Sequence, residues 1–132
     1  LAPQPGETTA DIVIRDPDQS SYEETEFARG PNRERMASWL FSDFEPPLLD
    51  WAIERATMHP KGASFVDLDK FWAQSWPATV ICCALSVNPP EAHQRRTAEK
   101  LGADWHEMEA GHYPMLNHPE EMARLLMLAA EK

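Results

Sequence analysis

His112 is the side chain in this sequence best placed to do chemistry. It lies in the run Glu109-Ala110-Gly111-His112-Tyr113-Pro114-Met115-Leu116-Asn117-His118-Pro119-Glu120, between a short strand-like segment and a helix signal. An imidazole on a glycine-led loop between two rigid elements is held as a general base must be. The other four histidines read differently. His93 falls on a predicted helix and His106 on a predicted strand, as surface or half-buried residues. His118 belongs to the start of the last helix, and His59 ends an earlier one. No histidine pair has the i, i+4 spacing of a helical zinc site, so neither a metal nor another cofactor is expected. Cys82 and Cys83 are adjacent within an apolar run, where neighbours point to opposite strand faces. They read as small buried hydrophobes rather than as a chelate or a disulfide. No G-x-S-x-G nucleophile turn occurs anywhere, and none of Ser20, Ser21, Ser38, Ser42, Ser64, Ser75 or Ser86 lies in that context.

The elements that must hold His112 are legible around it. Thr79 to Leu85 is a continuous apolar run of strand length, the signature of a parallel strand covered on both faces. Pro89-Pro90 ends it and opens a helix, which Leu101 closes with Gly102 just beyond. Trp105 to Met108 reads as a second strand, so strand, helix and strand form one parallel crossover unit. In the final helix Met122, Leu125, Leu126 and Ala129 share a face, with Asn117 as its cap and Glu120 three residues on.

Residues 1–75 have another texture, rich in proline and acidic residues. Pro3 to Asp11 is turn chemistry leading into Ile12-Val13-Ile14, and residues 16–32 form a polar stretch with little periodicity. Helical spacing of Met36, Trp39, Leu40 and Phe44 predicts a helix over residues 33–44. Leu48, Leu49, Ala52, Ile53 and Ala56 predict another, closed by His59-Pro60. Two such helices with broad apolar faces suit a cap over a cleft. Trp39, Phe41, Phe44, Trp51, Phe65, Phe71 and Trp72 are the aromatics available to line it or to pack the cap onto the core.

Composition narrows the partners. The 132 residues suffice for one domain, and a formal charge of −10 argues against nucleic acid and anionic membrane. No apolar run approaches the roughly 20 residues of a membrane span. The cysteine usage suits a reducing cytosol, which predicts a cytoplasmic protein. The chain begins with Leu1, so a translation start is expected upstream.

The order of elements resembles the C-terminal half of α/β-hydrolases, in particular small esterase-like members related to plant methylesterases and hydroxynitrile lyases. The likeness is carried by Pro3-Gln4-Pro5-Gly6-Glu7, by Arg95-Arg96-Thr97-Ala98-Glu99-Lys100-Leu101-Gly102-Ala103, by Gly111-His112 and by Pro119-Glu120-Glu121. It implies a partial α/β-hydrolase fold: a helical cap over residues 1–75, then the strand-helix-strand-helix end of a parallel sheet over residues 76–132. It further implies that His112 is the base of a serine hydrolase whose nucleophile and oxyanion donors lie outside this chain. Trp39, Phe44, Trp51 and Tyr113 would then contact a small apolar or aromatic ester-like substrate. One departure is marked. Many members carry an aspartate after the strand equivalent to residues 80–85 to orient the histidine, whereas Ala84-Leu85-Ser86-Val87-Asn88-Pro89 holds no carboxylate. Either Ser86 or Asn88 bonds the ring instead, or the acid comes from outside the chain; Glu91 reads as a helix-dipole residue. The alternatives to an esterase are a non-catalytic ligand-binding member of the same fold and a cap-and-edge module that pairs with another chain. With two evident sheet strands, the isolated chain is expected to need its missing N-terminal half or to self-associate.

Overall fold

The computed structural model describes residues 2–15, 17–61 and 68–131. Helices and strands of both orientations make it a mixed α/β structure. Its centre of order is the crossover unit: β4 (Thr79–Cys83), α5 (Glu91–Leu101) and β5 (Asp104–Met108). Strands β4 and β5 pair in parallel with Cys83 opposite Met108, as the apolar run and its proline stop predict. Gly102 ends α5 at φ +61°, the left-handed conformation that glycine adopts without a Cβ penalty, and its N–H bonds the carbonyl of Glu99.

Two helices cover this pair. Leu125 of α7 (Pro119–Ala130) is buried with Met108 and Ala110, and Ile81 and Met122 pack against them. Alternation along β4 turns Cys82 to the opposite face, where α5 lies. The strand expected to be covered on both faces is covered only in part. Cys82 is buried, while Thr79, Val80, Ile81 and Cys83 remain half-exposed, because a two-stranded sheet gives the helices little surface to close over.

The last helix does not start as expected. Pro119 takes its first position and fixes the backbone there, so His118 rather than Asn117 sits at the cap, and no side chain caps it. Asn117 instead ends a separate turn, α6 (Pro114–Asn117), and its carboxamide is used elsewhere.

The first half is less purely helical than its apolar spacing predicts. After the turn α1 (Thr9–Ile12), the polar stretch folds as a hairpin of β1 (Tyr22–Glu24) and β2 (Ala28–Pro31). β3 (His59–Pro60) adds antiparallel to β2. Residues 59–60 therefore continue a sheet and do not close the helix expected before them, which already ends at Arg55. These strands escape periodicity because they are two to four residues long and mostly exposed, held by charge: Glu24 pairs with Lys61 and Arg29. The helix expected over residues 33–44 is one turn, α2 (Arg33–Arg35), widening into a π-helical turn, Met36–Leu40. It ends before Phe44. The next, α3 (Leu48–Arg55), forms as its apolar stripe predicts, burying Ala52 and Ile53 with Phe41 and Phe44. A short α4 (Asp69–Trp72) completes the half. Phe65 and Ser64 lie outside the described residues. No helix among the described residues is long and apolar enough to cross a membrane.

Candidate functional site

Parallel pairing brings two loops together at the C-terminal ends of β4 and β5. The ladder runs past the strands, with Ala84 N–H on the carbonyl of Met108 (2.9 Å) and Leu85 N–H on that of Ala110 (3.1 Å). A turn closed by Ser86 N–H on the Cys83 carbonyl then brings Ser86 beside the loop after β5. There its Oγ lies 3.1 Å from Nδ1 of His112.

The hydrogen-bond pattern sets the state of the ring. The Ser86 hydroxyl has one proton and donates it to the carbonyl of Asn88 at 2.8 Å. Its oxygen is then the acceptor toward His112, which matches the tautomer with the hydrogen on Nδ1, and Nε2 has no hydrogen-bond partner among the described residues. This is the tautomer a general base needs when its nucleophile approaches Nε2. Of the two polar residues that sequence offers for this contact, Ser86 makes it. Asn88 instead exchanges hydrogen bonds with the backbone of Ile14. Glu91 is engaged with Arg95 four residues along α5.

The loop itself is held from the first half of the chain. Asp43 Oδ2 accepts the Gly111 N–H at 2.6 Å and the Asn117 carboxamide N–H at 2.7 Å. Buried Phe41 and Phe44 flank Asp43 in sequence and pack on each other, with ring centroids 5.1 Å apart. Phe41 also meets Tyr113 at 5.2 Å, and Tyr113 presents an edge-on contact to the His112 ring at 4.9 Å. Gly111 is required by this approach: a Cβ there would lie 2.2 Å from Asp43 Oδ1. Asp43 Oδ1 and Asn117 Oδ1 are themselves buried, with no hydrogen-bond partner among the described residues.

The expected substrate-contacting aromatics occupy different places. Tyr113 adjoins His112, half-buried. Phe44 is enclosed in the cluster of Phe41, Ala52 and Ile53. Trp39 carries the Arg35 guanidinium over its ring, and exposed Trp51 carries that of Arg55. Two cavities of about 210 and 260 Å³ lie elsewhere, one lined by Arg95, Ala98 and Trp105 and the other by Asp18, Asn32 and Arg35. Neither reaches His112.

Thiol chemistry is disfavoured. Burial pushes the Cys82 and Cys83 thiols above their ordinary value, and neighbouring Asp43 adds to this at Cys83, so both stay protonated. Among the described residues no three His, Cys, Asp or Glu side chains converge as a metal site. Sequence reasoning missed Asp43. Its only signal is a short acid between two aromatics, Phe41-Ser42-Asp43-Phe44, and nothing local names a partner 68 residues away. His93, which its place in the sequence predicts to be at the surface or half-buried, is buried; its Nδ1 lies 3.0 Å from the Arg96 guanidinium, which grips Glu7 with two hydrogen bonds.

No family model, curated protein or solved structure matches this chain.

Proposed function

We propose that this chain is the C-terminal part of an α/β-hydrolase-type enzyme that cleaves a carboxylic ester or related acyl bond. His112 is its general base, and polypeptide outside residues 1–132 supplies the serine nucleophile and the oxyanion donors. The observation that carries the reading is the Ser86–His112 hydrogen bond, with the Ser86 hydroxyl donating to the Asn88 carbonyl and Nε2 without a partner among the described residues. In the reaction Nε2 takes the serine proton as its oxygen attacks the acyl carbon. The imidazolium then keeps Nδ1–H on Ser86 and returns the other proton to the leaving alkoxide. Water repeats the sequence to release the acid. Tyr113, adjoining the base, would contact an apolar or aromatic substrate group.

A second reading is a ligand-binding protein of the same fold. One observation favours it: the ring's partner is a neutral hydroxyl, which stabilises an imidazolium less than a carboxylate does.

Hydrolysis of an activated aryl ester separates the two. The 132-residue chain alone should be inactive. In a longer protein carrying the serine, His112→Ala should abolish nearly all turnover while changing stability by no more than about 1 kcal/mol. Retention of more than about a tenth of the activity would favour the binding reading, because loss of a triad base costs orders of magnitude.

A further inference from the structure

We infer that Asp43 is the positioning residue of His112, acting through the backbone of the loop that carries the ring. The inference rests on the reading of His112 as a base. Asp43 Oδ2 receives one N–H from the residue before His112 and another from Asn117, five residues after it. One oxygen thus ties both ends of the loop to the first half of the chain. The bond to Gly111 is short, at 2.6 Å, as suits a charged acceptor. The glycine serves the same contact, since a side chain at position 111 would occupy the carboxylate's place.

Phe41 and Phe44 supply the second half of the device. Their buried side chains anchor the segment on both sides of Asp43, and Phe41 packs on Tyr113, whose edge adjoins the His112 ring. With the backbone tethered and Tyr113 alongside, the ring meets Ser86 through Nδ1. Removing the tether frees the loop, and the ring loses its fixed hydrogen bond. Asp43 is therefore a remote support rather than a group that touches substrate. Misplacement of a base by about 1 Å is enough to cost on the order of 100-fold in rate.

Long-range proton–nitrogen NMR on the full 132-residue chain with labelled histidine tests this without any need for turnover. Wild type should show His112 mainly with Nδ1 protonated and Nε2 bare. Asp43→Ala should move it to the form with Nε2 protonated that free histidine favours. His93, held on α5 by Arg96, serves as the internal control and should keep its wild-type signals. Asp43→Asn retains an oxygen for the Gly111 N–H and should restore the wild-type ring state. An unchanged His112 ring in Asp43→Ala, or no recovery in Asp43→Asn, overturns the inference. If Asp43→Ala also disturbs His93, Asn117→Ala takes its place. It removes one tether only and should shift the ring part of the way; an unshifted ring again overturns the inference. A wild-type ring already protonated at Nε2 would instead contradict the base reading itself.

Discussion

Gly111→Ala should be far more costly than its backbone conformation suggests. The residue has no positive φ, so alanine fits the chain locally. The obstacle is Asp43, whose Oδ1, Cγ and Oδ2 would stand 2.2, 2.6 and 2.9 Å from the new methyl carbon. Relief requires the carboxylate to withdraw, which gives up the Gly111 and Asn117 hydrogen bonds. A hydrogen bond to a charged group is worth about 1.5–3 kcal/mol, and overpacking a tight site costs about 1–3 kcal/mol. The two costs trade against each other, so the expected loss is about 2–4 kcal/mol. Asp43→Ala alone should cost about 1.5–3 kcal/mol, by stranding the same donors. In the double variant the clash is gone, so its cost should stay close to that of Asp43→Ala, with a coupling of at least about 1 kcal/mol. Urea unfolding of the four proteins at high dilution, followed by tryptophan fluorescence, measures this cycle. A Gly111→Ala loss below about 0.5 kcal/mol, or simple additivity, would refute the reasoning.

Two further outcomes follow from other parts of the fold. Acid should release the N-terminal segment: Arg96 and the Gln4 N–H hold the Glu7 carboxyl below its ordinary 4.5, and burial, with the charge of Arg96, holds His93 below its ordinary 6.5. For both groups the folded state resists protonation, so their contribution is complete above the ordinary value and is lost as pH falls through the lowered one. Trp72, whose indole N–H donates to the Pro3 carbonyl at 2.7 Å, should report the release by fluorescence below pH 6.5, continuing below 4.5. A signal unchanged down to pH 3.5 would contradict it. The isolated chain should also self-associate, because Leu126, Met127 and Leu128 on α7 and Met115 on α6 are exposed. Sedimentation should show that Leu126→Glu with Met127→Lys reduces association; a monodisperse wild-type monomer with one sharp unfolding transition would argue against it.

Much of the second half was legible because its signals are local. The apolar run of β4, the prolines after it and Gly102 each fix one backbone decision, and the parallel pair follows from them. The terminal helix starts one residue later than its cap signal predicts because Asn117 and Pro119 compete to define its start, and proline wins by fixing φ. The hairpin of β1 and β2 left no period to read, since its short strands face solvent and depend on Glu24, Arg29 and Lys61. At the site, His112 and the Ser86 alternative could be named from sequence, because both follow strands whose register is implied. Asp43 could not be named: its partners are a backbone N–H and a carboxamide brought near only by tertiary packing.

The state of the His112 ring in the wild-type chain tests the central claim most directly. Nitrogen chemical shifts at neutral pH should show Nδ1 protonated and Nε2 free, and Ser86→Ala should remove that preference while the strands stay paired. A ring protonated at Nε2 in the wild type, or one indifferent to Ser86→Ala, would contradict the assignment of His112 as a base presented through Nε2.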